Sequence, residues 1–579
     1  MKASSILLLL AALAAGAAAQ EAPEYPADWA CEDKTPATTY LHIKTSDQCR
    51  KVKVTGWAQG GVETFQGIPF AKPLLGYDRF NRPEPAEYGA AIDATQPVKS
   101  CMQSGDADVD EDCLTLTVVA PKGAAGSKAR LPVMVWIYGG GFVEGSQTYY
   151  SRAPLVPYAA LSDQPVILVT INYRVGIWGF GYGKEIADAG AANLGHRDQI
   201  LALQWVQRHI RRFGGCKKKV MVFGQSAGAI SIANLLLDTR TKLFRGAIMQ
   251  SGAASTAPIG PTGSTWQASY DALAKHANCS GEGSLDCLRC LDADDLLDAQ
   301  EKMKSEFEYS LGFTFAPSID GDIIPDSPAA LLHAGKIAKI PFITGSTKDE
   351  GTAFIPQSKL LDTPGAASIA LGLLYPAPPP KPIADGIFQR WPAVASEGAP
   401  FGTGEATFGL PVVFKQLAAA ITDIAFNSRR RWLIRNANLA GNAKTWTYLF
   451  NATRPGAGPQ LGSTHSDDIA YVLGDVWRKG TEGNYTAAQV ELSTQLMDYW
   501  IAFAYFADPN NGCLPDWPAH AFPGNKNSLR IQPGALGVIQ DDFREDKMDW
   551  MNDSVVSKEL WQRDAAGAGV VAELRRMSA

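Results

Sequence analysis

The sequence lacks the features that usually divide a long chain into separate domains. Its 579 residues contain no internal repeat, no long run of charged residues and no linker rich in serine and glycine. Length alone would allow about four domains, but large α/β enzymes often fold as one unit. With 46% hydrophobic and 19% charged residues, the composition is typical of a globular protein with a large core. We therefore expect residues 20–579 to form a single domain.

The chain also lacks an excess of basic residues. Lys and Arg together number 53, against 59 Asp and Glu, which gives a formal net charge of -6. Proteins that bind nucleic acid use clustered basic residues to release counterions from the phosphates. We therefore expect no nucleic-acid partner for this protein.

The apolar run at the N-terminus is too short to cross a membrane. Residues 6–13 are apolar, follow Lys2 and lead into an alanine-rich segment that ends at Ala19. A membrane-spanning helix needs about 20 apolar residues, whereas this pattern is typical of a cleaved secretory signal peptide. We predict a signal peptide over residues 1–19, a mature chain that starts at Gln20, secretion to the extracellular space and no stable membrane anchor.

Export makes the nine cysteines candidates for disulfide bonds, and an odd number leaves at least one of them unpaired within the chain. Cys101 and Cys113 bracket a short acidic loop, and a bridge across it would contribute about 3 kcal/mol. The acidic residues of this loop indicate either a solvated face or a cation site. Candidate N-glycosylation sites in Asn-x-Ser/Thr sequons are Asn278, Asn451, Asn484 and Asn552.

The most informative motif is Gly-Gln-Ser-Ala-Gly at residues 224–228. An apolar run that reads as a buried strand, residues 220–223, precedes it, and a segment compatible with a helix follows it. A serine held on a strained turn between strand and helix needs glycines two residues to either side. The pattern predicts that Ser226 is the nucleophile of a hydrolase. The alternative is an ordinary strand-to-helix turn that happens to contain a serine.

Several apolar runs predict the strands of a buried sheet, and helical stretches separate them. The runs are Leu131–Ile137, Pro165–Ile171, Gly246–Gln250, Ile340–Thr344 and Thr445–Phe450. This alternation predicts an α/β fold with a large, mostly parallel central sheet flanked by helices, and a site at the carboxyl ends of the strands. The spacing of apolar residues predicts an amphipathic helix over residues 197–213. Residues 38–66 are predicted to form antiparallel strands at an edge of the sheet. Residues 356–441 are predicted to form an inserted helical cap region.

Three glycines follow the predicted strand Leu131–Ile137, at positions 139–141. Glycines at a strand end allow main-chain N–H groups to point into a cleft, as an oxyanion hole requires. The alternative is a flexible connection.

The partners of a nucleophilic serine in an α/β hydrolase follow it in the order acid, then histidine. Of the seven histidines, those after Ser226 are His276, His333, His465 and His520. His465 lies in a loop beyond the predicted strand Thr445–Phe450, which favours it as the base. The acid is expected just after the strand Ile340–Thr344, where the spacing does not separate Asp349 from Glu350.

Together these motifs resemble the type-B carboxylesterase/lipase family of α/β hydrolases, which includes cholinesterases and fungal lipases. The resemblance runs from about Val52 to Trp550. It rests on Phe65-Gln66-Gly67-Ile68-Pro69, Glu111-Asp112-Cys113-Leu114, Tyr138-Gly139-Gly140-Gly141-Phe142, Asn172-Tyr173-Arg174, Phe223-Gly224-Gln225-Ser226-Ala227-Gly228 and Asp349-Glu350-Gly351.

The resemblance implies roles for individual residues. The catalytic residues would be Ser226, Glu350 and His465. The oxyanion hole would be formed by the amides of Gly140, Gly141 and Ala227, with Ser251 as a supporting residue. The implied disulfides are Cys101–Cys113 and Cys279–Cys287, with Met548 where cholinesterases have a further cysteine. No metal and no organic cofactor is implied. The pairing of Cys31, Cys49, Cys216, Cys290 and Cys513 is left open, with only proximity to suggest Cys31–Cys49.

Two departures from the family bear on the substrate. Cholinesterases have a glutamate before the nucleophile and a tryptophan in the first disulfide loop, which together hold a quaternary ammonium group. This chain has Gln225 and no tryptophan between Cys101 and Cys113. We therefore expect a small-molecule or lipid ester as substrate, preferably a neutral carboxylic ester. The alternatives are a lipase or sterol esterase that acts on long-chain esters, and a non-catalytic adhesion ectodomain. The short acidic loop argues against strong interfacial activation, and the oligomeric state is not predicted.

Overall fold

The computed structural model describes residues 32–44, 49–239, 242–257, 266–307, 313–362, 379–512 and 514–553, together with a few isolated residues. The predicted signal peptide, Cys31, Cys513 and the side chain of Cys49 lie outside the described part of the chain. The suggested Cys31–Cys49 pair is therefore not addressed by the structure.

Fifteen strands are found among the described residues. They are β1 Thr35–Lys44, β2 Cys49–Gln59, β3 Val62–Pro69, β4 Ala91–Asp93, β5 Ser100–Cys101, β6 Val109–Asp110, β7 Thr115–Pro121, β8 Leu131–Ile137, β9 Ile167–Ile171, β10 Gly215–Gln225, β11 Gly246–Gln250, β12 Phe342–Thr347, β13 Thr445–Phe450, β14 Asn527–Ile531 and β15 Gly537–Gln540. Thirteen of them form one sheet in the order β1-β2-β3-β7-β9-β8-β10-β11-β12-β13-β14-β15, with β4 beside β2. The strands β5 and β6 pair separately.

The centre of the sheet is parallel and its edges are antiparallel. From β9 through β8 and β10 to β14 every neighbouring pair is parallel. The strands β1, β2, β3 and β7 pair antiparallel, as do β14 and β15. Strands β9, β11 and β12 are buried along their whole length, because helices cover both faces of a parallel sheet. Polar residues within them, such as Thr170, Gln250 and Thr344, are buried as well. The predicted mostly parallel sheet is confirmed.

The helices connect the parallel strands and cover the sheet. The α-helices are Leu155–Leu161, Gly176–Phe180, Lys184–Asp188, Leu194–His209, Ala227–Leu237, Gln267–His276, Ser284–Cys290, Ala293–Phe307, Pro328–His333, Lys381–Arg390, Val412–Ile421, Ser428–Leu439, Asp467–Val472, Asp475–Lys479, Ala487–Phe506 and Glu545–Met551. The helix predicted over residues 197–213 starts three residues earlier, at Leu194, and its last turn, Ile210–Phe213, is a 3-10 helix.

The predicted cap region, residues 356–441, lies in the connection from β12 to β13. Its described part contains the helices Lys381–Arg390, Val412–Ile421 and Ser428–Leu439, and the last two are joined by a π-helical turn, Thr422–Asn427. Such turns are rare in proteins overall, and those that do occur often lie at functional sites. Phe426 of this turn lies in the wall of the cavity described below.

The C-terminal segment is held to the helix Ser428–Leu439 by buried ion pairs. The Asp541 carboxylate lies 2.7 Å from Arg430 Nη2 and 3.0 Å from Arg431 Nη2, and all three side chains are at most 2% exposed. Burial alone would raise the pKa of Asp541, but attraction to the two guanidinium groups outweighs it and holds the pKa well below its ordinary value. The two ion pairs of Asp541 therefore stabilise the folded state only while its carboxylate is ionised.

Substitution of Asp541 by asparagine is expected to lower the free energy of unfolding at pH 7 by about 3–5 kcal/mol, because two buried guanidinium groups would lose their counter-ion. The folded pKa lies below the unfolded one, so this contribution is present above about pH 4 and is lost as the pH falls further. Urea denaturation between pH 3 and pH 7 measures both effects. The exposed neighbour Asp542 offers the matched control Asp542→Asn, and equal losses in the two variants would contradict the expectation.

Candidate active site

Ser226 lies on the sharp turn between β10 and the helix Ala227–Leu237, as predicted. Its φ of 54° and ψ of -123° are unusual for a residue with a side chain. The flanking glycines are required by close approach to β8. A Cβ atom would lie 2.5 Å from Ile137 O if added at Gly224, and 2.0 Å from the same oxygen if added at Gly228. The packing of β8 against this turn therefore explains both glycines.

His465 and Glu350 meet in a buried contact. His465 Nδ1 lies 2.5 Å from Glu350 Oε2, and Glu350 is fully buried. The other carboxylate oxygen, Oε1, accepts a hydrogen bond of 2.7 Å from Thr347 N at the end of β12. Both oxygens of Glu350 are thus fixed, which orients the imidazole ring.

Asp349, the other candidate acid, points elsewhere. It accepts hydrogen bonds from Phe401 N at 2.7 Å and from Ser463 N at 3.0 Å. Burial raises the pKa of Asp349 above its ordinary value. The sequence did not indicate which of these two adjacent carboxylates lies beside His465. In the structure Glu350 contacts His465, and Asp349 connects the loop that carries His465 to residue 401.

The loop that carries His465 is fixed by short hydrogen bonds. Thr352 Oγ1 lies 2.7 Å from Leu461 O and 2.8 Å from Thr464 Oγ1, and Asp467 accepts from Thr464 N at 2.9 Å. Burial raises the pKa of Asp467 to about 6, and attraction to Arg454 opposes this shift. The loop begins at the end of β13, so it brings the ring to the same sheet edge as Ser226.

The remaining nitrogen of His465 contacts Gln225 in this structure. Gln225 Nε2 lies 3.1 Å from His465 Nε2. Among the described residues, Ser226 Oγ makes no hydrogen bond. Contacts between nucleophile and base are often long in unliganded enzymes and shorten when substrate binds. Ser226 and His465 line the same cavity.

The glycine segment after β8 presents free amides to this cavity. Gly140 and Gly141 have φ values of 116° and 61°, and in the part of the chain that is described their N–H groups donate no hydrogen bond. Gln103 clamps the segment, because its side chain accepts from Gly145 N at 2.7 Å and donates to Gly145 O at 2.9 Å. Ala227 begins the helix after Ser226, where N–H groups lack helical partners. These three amides match the donor set of an oxyanion hole.

Other polar groups lie behind the histidine. Asp468 is buried and accepts hydrogen bonds from Gln250 at 3.0 Å and Tyr448 at 2.8 Å, and burial raises the pKa of Asp468 to about 6. Ser251, expected to support the site, has a φ of 55° and is fully buried. Its hydroxyl has no hydrogen-bond partner among the described residues, so its supporting role stays a prediction.

The cavity in front of Ser226 measures about 320 Å³. Its apolar wall is formed by Val143, Ile230, Phe313, Phe354 and Phe426. The rings of Phe354 and Phe426 each lie 5.0 Å from the His465 ring. The cavity therefore combines a polar edge, which includes Ser226 and His465, with an aromatic wall.

The sequence of the chain matches one known protein family over most of its length. A profile of the carboxylesterase family matches residues 49–368 and 410–549. The chain belongs to the carboxylesterase family. It is a carboxylic ester hydrolase, and the predicted resemblance is confirmed.

Relatives of this carboxylesterase include both lipases and esterases. It is 33% identical over 538 residues to "Secreted lipase 1" of Botryotinia fuckeliana, a match that covers 86% of this chain and 90% of the relative. It is 32% identical over 484 residues to "Para-nitrobenzyl esterase" of Bacillus subtilis, with 81% and 91% covered. Among solved structures, a PNB esterase matches with a TM-score of 0.70 and 30% identity, over 88% of this chain and 100% of that one.

The cysteines of the carboxylesterase form two disulfides in the described structure, Cys101–Cys113 and Cys279–Cys287. Cys216 is free and buried, and Cys290 is free and exposed. The first disulfide loop is not simply a solvated acidic face. The side chain of Glu111 is 8% exposed and pairs with Arg79 at 2.8 Å, and it accepts a hydrogen bond from Trp178.

The sequence interpretation missed the contacts that hold the site in place. The spacing of Gln103 does not indicate its hydrogen bonds to the glycine segment, and the sequence shows only that Gln225 lacks the charge of a glutamate. Phe354 and Phe426 carried no signal either, because isolated aromatic residues are most often core residues.

No helix among the described residues is long and apolar enough to span a bilayer.

Proposed function

We propose that this carboxylesterase is secreted and cleaves esters through Ser226, His465 and Glu350. The observation that carries the proposal is the buried 2.5 Å contact between Glu350 and His465 in the wall of the cavity that contains Ser226 and two free glycine amides. Predicted export and relatives named as secreted lipases support the location.

The groups support acyl transfer in two steps. His465 Nε2 takes the proton of Ser226 as its Oγ bonds to the ester carbonyl carbon, and the same proton passes to the alcohol as the ester bond breaks. A water molecule then loses a proton to His465 and attacks the acyl-enzyme, which releases the acid and restores Ser226. Glu350 stabilises the imidazolium in both steps. The amides of Gly140, Gly141 and Ala227 would bind the oxyanion.

The size of the cavity favours compact, neutral esters. About 320 Å³ lies near the lower end of the range of about 300–1000 Å³ that is usual for ligand sites. The wall beside His465 is aromatic, and Gln225 brings no charge next to the nucleophile. Among the described residues that line the cavity, one is a carboxylate, Glu144, and it is exposed to solvent.

A series of p-nitrophenyl esters from acetate to palmitate is expected to show the highest kcat/KM for acyl chains of two to six carbons. A drop of about 10-fold or more toward palmitate is expected, since each methylene left outside the cavity loses about 0.8 kcal/mol of burial. Enzyme pretreated with an organophosphate, which labels the reactive serine, serves as the blank. A rate that increases steadily to palmitate would contradict the preference for compact acyl groups.

A lipase is the second candidate, because relatives with 33–34% identity are named as lipases, among them "Lipase 1" of Geotrichum candidum. A lipase would turn over faster once its substrate exceeds its solubility limit, whereas an esterase would saturate below it. Initial rates on tributyrin across this limit distinguish the two.

Glycosylation remains part of the proposal. Asn278 and Asn484 are exposed, whereas Asn451 and Asn552 are partly buried. Their side chains also differ, because Asn451 donates to Gln532 at 3.0 Å and Asn552 to Ser428 O at 3.3 Å. Glycans are therefore expected first at Asn278 and Asn484.

A further inference from the structure

Gln225 contacts the nitrogen of His465 that has to accept the serine proton. Its amide nitrogen lies 3.1 Å from His465 Nε2, and the side chain is 2% exposed. Gln225 is the last residue of β10, so the central strand of the sheet fixes its position. This contact is distinct from the one with Glu350, which lies on the other ring nitrogen.

The hydrogen-bonding capacity of an amide suits both protonation states of the ring. With Nδ1 donating to Glu350, the neutral ring has a lone pair on Nε2, which accepts a hydrogen bond from the Gln225 NH₂ group. When the ring is protonated, the amide oxygen accepts from Nε2–H after the amide group rotates. A neutral side chain favours neither state by charge, whereas a carboxylate would favour the imidazolium.

We propose that Gln225 is a positioning residue that orients the His465 ring through Nε2 without favouring the imidazolium, so that kcat/KM is retained to lower pH than with a carboxylate at this position. Ser226 displaces the amide from Nε2 when an ester binds. The inference rests on the proposed function, because it concerns the same serine and histidine.

The other groups around the ring are unchanged when residue 225 is varied. Within the described part of the chain, the charged or titratable groups that face His465 or lie on its own loop are Glu144, Glu350, Asp467 and Asp468, with Tyr448 behind Asp468. Asp467 is paired with Arg454. Phe354 and Phe426 cover the remaining sides of the ring. A shift in the pH profile of a residue 225 variant therefore reports on the group at that position.

Gln225→Glu tests the inference, because it keeps the shape of the side chain and adds a charge. An opposite charge at this distance typically favours the charged form of its partner by about 1–3 pH units. We expect the low-pH midpoint of the kcat/KM profile to rise by about 1–3 units relative to wild type. Below both midpoints the activity is expected to fall by about 10- to 1000-fold, and above the new midpoint it returns to within about 10-fold of wild type.

Two variants separate charge from packing. Gln225→Met keeps the volume without charge and should show no comparable shift, while Gln357→Glu adds the same charge at an exposed position and should leave the profile unchanged. An unmoved midpoint in folded Gln225→Glu, or an equal loss at every pH, would overturn the inference. If wild type cleaves no ester, or if activity persists without Ser226, the proposed function itself fails.

A second measurement needs no activity and serves if Gln225→Glu does not fold. In protein labelled with ¹⁵N-histidine, the Nε2 resonance of His465 reports whether that nitrogen accepts a hydrogen bond. We expect this resonance to move toward the position of a free ring nitrogen in Gln225→Met, while the Nδ1 resonance stays. Coincident Nε2 resonances in wild type and Gln225→Met would overturn the inference.

Discussion

Ser226→Ala is expected to reduce kcat for p-nitrophenyl butyrate by about 10⁴- to 10⁶-fold. Loss of the nucleophile in serine hydrolases has effects of this size, and the residual rate comes from substrate binding and the oxyanion donors. Alanine has the same backbone requirements as serine at a φ of 54°, and Ser226 Oγ makes no hydrogen bond within the described residues. The thermal transition should therefore stay nearly unchanged.

A matched control for this variant lies on the same helix. Ser231 is buried, and its hydroxyl donates to Ala227 O at 2.8 Å and accepts from Gln199 Nε2 at 3.1 Å. Ser231→Ala leaves the buried Gln199 amide without this acceptor, so it should lower stability by about 1–3 kcal/mol and retain most of the activity. Loss of covalent labelling by an organophosphate should accompany Ser226→Ala alone. Turnover within 10-fold of wild type in Ser226→Ala would remove Ser226 from the mechanism.

Glu350→Gln is expected to reduce kcat by about 10⁴-fold with little change in the fold. Thr347 N donates to Glu350 Oε1 at 2.7 Å, so the glutamine oxygen has to take that position. Its NH₂ group would then face His465 Nδ1, which selects the tautomer with the proton on Nε2. That tautomer cannot accept the proton of Ser226, and a comparable substitution in another triad has an effect of this size.

The adjacent acid provides the control for Glu350→Gln. Asp349→Asn removes the same charge one residue away, where the carboxylate accepts from Phe401 N and Ser463 N. We expect this variant to lose stability, because an amide can accept from only one of those two donors, and to lose far less of kcat. Steady-state kinetics and thermal denaturation measure kcat and stability for both variants. Equal losses of kcat in the two variants would refute the assignment of Glu350 as the acid.

The sequence predicted the architecture well where burial alone determines it. The strands β8, β11 and β13 have the predicted bounds, because strands covered on both faces are mostly apolar. Strand β12 is Phe342–Thr347 instead of the predicted Ile340–Thr344, since its last residues, Ser346 and Thr347, are buried although they are polar. Boundaries that depend on hydrogen bonding were less accurate. Strand β10 begins at Gly215, five residues before the predicted apolar run, because Lys217 to Lys219 continue the strand where it is not covered.

The sequence by itself determined that Ser226 sits on a strand-to-helix turn, because only glycine fits at the two positions that approach Ile137 O. It also limited the acid to two adjacent carboxylates. Tertiary structure alone decided which of them contacts His465, because the direction of a side chain after β12 depends on the loops that pack against it. The same holds for Gln225, which contacts His465 across 240 residues of sequence, a distance that no local pattern of residues specifies.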